Sequence, residues 1–187
     1  ALEREREASE EARLGKDLAP LSPATNGIAA LVAYHGRQDD QAITECERVL
    51  GRDSTSLLAL IAITLSYAAK GMHAEAIKHA ERGVSLSPEI NLLKALLAAV
   101  YAMAGERAAA EHVLAELLER ANHTYTAPTM ISWTYANLDQ PDVAFEWLEK
   151  ACSMRDCTLE FGIRVPLYDR ISGDSRFQEL LACLGLA

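Results

Sequence analysis

Residues Leu57 to Pro88 read LLALIAITLSYAAKGMHAEAIKHAERGVSLSP. An almost wholly apolar run stops at Gly71, and a mixed run follows it as far as Pro88. Glycine supplies a backbone conformation between helices that other residues adopt at a cost. Proline ends a helix and tolerates the start of the next. The stretch therefore predicts one helix near 57–69, a turn, and a second near 73–86. Outward from it, the same marks recur. Ala76 belongs to a series, Ala8, Ala42, Ala76, Ala110 and Ala144, with steps of 34 residues. Tyr67, Tyr101 and Tyr135 keep that step, as do Gly71 and Gly105, with Asp139 in the third slot. Ile63, Leu97 and Ile131 mark an apolar position that is Ala29 earlier in the chain. Thr64, Ala98 and Ser132 mark a small position just after it, and Pro20 and Pro88 lie two periods apart. A helix–turn–helix solenoid has this period.

A small residue, a tyrosine and a glycine in a first helix, the alanine of a second and a closing proline resemble the tetratricopeptide repeat family. Thr64, Tyr67, Gly71, Ala76 and Pro88 carry the pattern within one repeat. The resemblance implies an all-α fold, a right-handed superhelical solenoid of antiparallel helix pairs with a C-terminal capping helix. It implies protein binding rather than catalysis. One helix pair cannot bury its apolar face alone, so pairs stack. Where helices cross closely only a small side chain fits, and alanine has the best helix propensity.

The register gives four full repeats within 23–156. Helix pairs are expected near 24–35 with 39–51, 57–69 with 73–86, 91–104 with 107–121, and 127–138 with 141–153. Gly36 comes one residue early relative to Gly71, so the first turn is expected to differ. Residues 1–22 carry Ala8, Ala12 and Pro20 in second-helix register, which reads as the second helix of a truncated preceding repeat. The alternative is an independent charged capping helix, since Glu3 to Glu7 alternates acid and base. On the first reading the chain is part of a longer protein. Residues 157–187 lack the repeat marks and read as a cap. A turn at Ser172–Ser175 supplies capping side chains, and Phe177, Leu180, Leu181 and Leu184 follow at helical spacing. The run Ala144 to Ala151 with this tail is similar to the end of many bacterial repeat regions. There the repeats follow a signalling domain: a nucleotide cyclase, a protein kinase or a winged-helix transcription regulator. That similarity implies a regulatory or dimerisation tail as the alternative function.

Composition narrows the partners. The net charge is −9, with 18 basic residues scattered among 27 acidic ones. Nucleic-acid binding needs clustered Lys and Arg to displace counterions, so neither nucleic acid nor an anionic membrane is expected as a partner. The longest apolar stretches, such as Leu57 to Leu65, are too short to span a bilayer. A cytoplasmic location is expected. Cys46, Cys152, Cys157 and Cys183 match no zinc or redox spacing and are expected as reduced thiols. The histidines His35, His73, His79, His112 and His123 form no paired-ligand motif, and neither a phosphate-binding glycine loop nor G-x-S-x-G occurs. No catalytic residue, metal or cofactor is expected.

In a stacked solenoid the first helices line the concave surface. Counted from the family pattern, that surface takes Leu31, Tyr34, Leu58, Ile61, Leu65, Leu92, Met103, Trp133 and Asn137. Such an apolar lining suits an amphipathic helix or peptide of a partner protein. Alternatively, curvature or the cap buries part of the set. The family's carboxylate clamp of lysine and asparagine is excluded, because its matching positions include Gly27, Leu31, Ile61 and Leu65. A third reading is self-association through the open N-terminal end, giving a homodimer.

Overall fold

The computed structural model describes residues 2–20, 22–163 and 165–184. It is all-α among those residues, and the helices pack as sequential antiparallel pairs, consistent with a tetratricopeptide-like array. Contacts divide the chain into two compact units, 1–87 and 88–187.

Unit 1 holds α1 (Leu2–Leu18), α2 (Pro23–His35), α3 (Asp39–Leu50), α4 (Leu57–Ala69) and α5 (His73–Leu86). α2 pairs with α3 and α4 with α5, while α2 also packs on α4 and α1 on α2. Ala30, Cys46, Val49, Ala59, Ala62 and Ile63 form its core, with Leu31, Ile43, Leu50 and Tyr67 against it. Cys46 is fully buried, and burial pushes its thiol pKa up to about 12. The α2–α4 crossing is tight. A Cβ added to Gly27 would stand 2.8 Å from the Cβ of Leu58.

Unit 2 holds α6 (Asn91–Ala104), α7 (Arg107–Ala121), α8 (Pro128–Asn137) and α9 (Pro141–Ser153). These are followed by α10 (Cys157–Gly162), a 3-10 turn (Pro166–Tyr168) and α11 (Ser175–Cys183). α6 pairs with α7 and α8 with α9, and α6 also packs on α8. Arg120 draws the two ends of the α6–α7 pair together, donating to Asn91 Oδ1 at 2.9 Å and to the carbonyls of Pro88 and Glu89 at 3.2 and 2.6 Å.

The alanine series divides at α1. Ala42, Ala76, Ala110 and Ala144 are all fully buried, each on the second helix of its pair. Ala8 is exposed, because no first helix lies beside it among the described residues.

The four turns inside the pairs share one geometry. Arg37, Gly71, Gly105 and Asp139 all take positive φ, at 57, 71, 82 and 58°. The next residue donates its N–H back to the carbonyl five residues earlier. Gln38 bonds to Ala33, Met72 to Tyr67, Glu106 to Tyr101 and Gln140 to Tyr135. This is the helix-ending pattern that left-handed residues make possible. The expectation of a different first turn at Gly36 is therefore corrected. Gly36 has φ −78° and sits within the ordinary helix end, while Arg37 occupies the left-handed slot despite its Cβ.

Candidate binding surfaces

The nine residues expected on a concave surface do not share one environment. In unit 1, Leu31 on α2 and Leu58 and Ile61 on α4 are half-buried, so each keeps part of its apolar surface in water. Tyr34 and Leu65 are buried, at 1% and 8% exposure. In unit 2, Leu92 and Met103 on α6 are half-buried, whereas Trp133 and Asn137 on α8 are buried. Tyr34, Leu65, Trp133 and Asn137 are therefore corrected from exposed to buried. For the α8 pair the physical reason is visible: the chain's own C-terminal segment lies on that face.

The covering is built from polar side chains as well as apolar ones. Asp156 ends the α9 turn and caps α10, accepting from the Thr158 backbone N–H at 2.9 Å and its hydroxyl at 2.7 Å. Its other oxygen accepts from the backbone N–H and hydroxyl of Thr129, at 3.2 and 2.6 Å. One carboxylate thereby joins the starts of α8 and α10. Burial pushes its pKa up, but these four hydrogen bonds outweigh burial and hold it below the usual range. Asn137 donates to the carbonyl of Leu167 at 2.8 Å, and the Tyr168 hydroxyl meets Ser132 Oγ at 2.6 Å. Gly162 lies over the indole of Trp133. Leu159, Ile163, Leu167 and Tyr168 fill the space beneath, none more than 1% exposed. A side chain such as Asn137, placed to hold a backbone carbonyl, is already engaged by the protein itself.

The tail's last helix docks on α9. The Asp174 carboxylate caps α11 through Arg176 N–H, within the turn the sequence marked out for capping. Arg176 reaches Asp142 at 2.9 Å and lies over the Phe145 ring, 4.1 Å from its centroid. Phe177 and Leu180 are buried, and Leu181 and Leu184 half-buried. The side chain of Cys183 lies outside the described residues; of the other thiols, Cys152 is half-buried and Cys157 exposed.

Sequence reasoning missed a second apolar region in unit 2, a cleft of about 410 Å³ between α7, the start of α8, and α9. Tyr125, 68% exposed, and Met154, 50% exposed, stand at it with Leu118, Ile131 and Trp147. The signal for it lay in Trp147, a large aromatic residue where the same register holds Val113, His79 and Glu45.

Among the described residues no cluster of His, Cys, Asp or Glu could hold a metal ion, and no helix is long and apolar enough to cross a membrane. A search of the curated proteins finds no match to this chain. The family model of the tetratricopeptide repeat matches residues 129–156, which spans α8, its turn and α9. The chain thus carries one recognised tetratricopeptide repeat within an all-helical series of paired helices.

Proposed function

We propose that this chain is a protein-interaction module that binds an apolar helix or peptide against the first helices of its pairs. The observation that carries the reading is the half-exposed apolar set Leu31, Leu58 and Ile61 on α2 and α4, beside Ile28 at 51% exposure. Apolar side chains kept partly in water on adjacent helices are the form that helix-in-groove recognition uses. The matched repeat supports it, since such repeats generally mediate protein binding. The filled face of α8 directs the reading to unit 1 and to Leu92 and Met103 on α6. The assigned role is binding, with no catalytic residue. The test compares proteins captured by the intact chain with those captured by Leu31→Glu, by Ile61→Glu and by a control at exposed Glu81→Lys. Helicity is checked for each. A partner held by the intact chain and the control but lost from both apolar-face variants is expected. Equal capture by all four would sink the reading.

A second reading is a regulatory or dimerisation tail of a larger bacterial signalling protein. It is favoured by Ala8, exposed on α1 at the register position that is buried in the four pairs, which leaves an open helix face for a second copy. On this reading the chain self-associates, and its mass in solution rises with concentration. A monomer mass at all concentrations would remove dimerisation.

A further inference from the structure

We propose that the cleft between α7, α8 and α9 is a separate docking site, for a basic segment of a partner protein carrying a bulky apolar side chain. This rests on the reading of the chain as an interaction module, but it concerns a face formed between two second helices. Its volume of about 410 Å³ falls in the range of small-ligand pockets, roughly 300–1,000 Å³. It is large enough for one or two bulky side chains. Its walls are Leu118, Ile131, Trp147, Tyr125 and Met154, the last two exposed. Exposed tyrosine and methionine beside the half-buried Trp147 are residue types enriched in protein interfaces.

The charges around the cleft select the occupant. Lys150 lies 4.4 Å from the Trp147 ring centroid, so the face that would attract a cation is already held by the protein's own ammonium. That leaves the apolar walls for an apolar side chain. At the rim, Glu119 is exposed, and its carboxylate makes no hydrogen bond or ion pair among the described residues. Arg120, next in sequence, does not neutralise it, since its guanidinium is turned to Asn91, Pro88 and Glu89. A partner that seats an apolar residue here meets the Glu119 carboxylate at the rim, and a basic flank complements it. The equivalent groove of the first pair differs. There Glu45 stands in place of Trp147 and is tied to Lys16 in an ion pair.

The test uses the full chain labelled with nitrogen-15 and three five-residue peptides. The first has phenylalanine between two leucines with a lysine at each end. The second has glutamate at each end, and the third keeps the lysines around serine and glycine. The indole N–H signals of Trp133 and Trp147 are the readout, assigned with Trp147→Phe. The first peptide is expected to shift the Trp147 signal saturably and leave that of Trp133 in place. Each of the others should bind about tenfold more weakly or less. Met154→Lys and Tyr125→Ser, both at exposed positions, should each abolish the shift, and Glu119→Lys should weaken it about tenfold. Either of the first two suffices if the other does not fold. Equal binding of the acidic and basic peptides, no saturable shift at Trp147, or retained binding in a folded Met154→Lys or Tyr125→Ser variant would overturn the proposal. The first-helix face is read by capture on Leu31 and Ile61, so either site can fail while the other stands.

Discussion

Arg37 and Gly71 do the same work with different chemistry. A non-glycine residue in the left-handed region crowds its Cβ against the following carbonyl, at about 1–2 kcal/mol. Gly71 and Gly105 avoid that cost. A Cβ added at either meets nothing within 4 Å, so only the backbone term changes. Gly71→Ala is therefore expected to lower stability by about 1 kcal/mol, or about 2–4 °C in Tm for a chain of this size. Thermal unfolding followed by circular dichroism checks it, and an unchanged Tm would contradict the turn geometry. Asp156 makes a second case. Its pKa is lower folded than unfolded, so its stabilisation is present above the ordinary carboxylate range and is lost as pH falls through the folded value. Asp156→Asn replaces one of the two acceptor oxygens by an NH2, so the backbone N–H of Thr129 or of Thr158 loses its acceptor, and is expected to cost about 2 kcal/mol at neutral pH. Below about pH 4 the deficit should shrink, with the two stability curves converging in acid. Curves that stay parallel to pH 2 would remove Asp156 from that role.

The helices of the four pairs lie within about one residue of the spans read from the 34-residue register. They were legible because every pair repeats its own terminators, and because apolar runs such as Leu57–Leu65 have no strand alternation. Packing inside the pairs was legible too, through the buried alanines. The α2–α4 crossing was not. Glycine in mid-helix weakens the helix by about 1 kcal/mol relative to alanine, and nothing local to Gly27 shows why it is tolerated. The reason lies 31 residues on, at Leu58. Gly27→Ala should lower stability by about 1–3 kcal/mol, since the helices must move apart by more than propensity recovers. The clashing atom is a Cβ, so Leu58→Ala would not rescue it, whereas Leu58→Gly would relieve the contact. Rescue by Leu58→Ala, in urea titrations of the double variants, would show that the longer side chain was at fault instead.

At the scale of the molecule, repeat counting ran out where the repeats did. It marked residues 157–187 as a cap, found the start of α11 and left open that the cap buries part of the concave set, but it did not mark which residues cover α8. α10 and the 3-10 turn carry no periodic mark. The one local signal was Asp156 two residues before Thr158, a helix-capping pair. The depth of that covering decides what the tail is. Leu159, Ile163 and Leu167 are each at most 1% exposed, and burying one such side chain is worth about 1.5–3 kcal/mol. Together with Tyr168 and the bonds to Thr129, Ser132 and Asn137, that sum is a large part of the roughly 5–15 kcal/mol that holds a domain folded. A partner peptide competing for α8 would have to replace all of it, so the tail acts as a fixed lid on the last pair and not as a displaceable inhibitor. A chain ending at Arg155 is then expected to lose amide-exchange protection along α8. In a Trp147→Phe background, the emission of Trp133 should shift to the red as its indole meets water. Unchanged protection of Ile131 to Asn137 in the shortened chain would show that α6 and α9 suffice to hold α8, and that the lid adds little to the stability of unit 2.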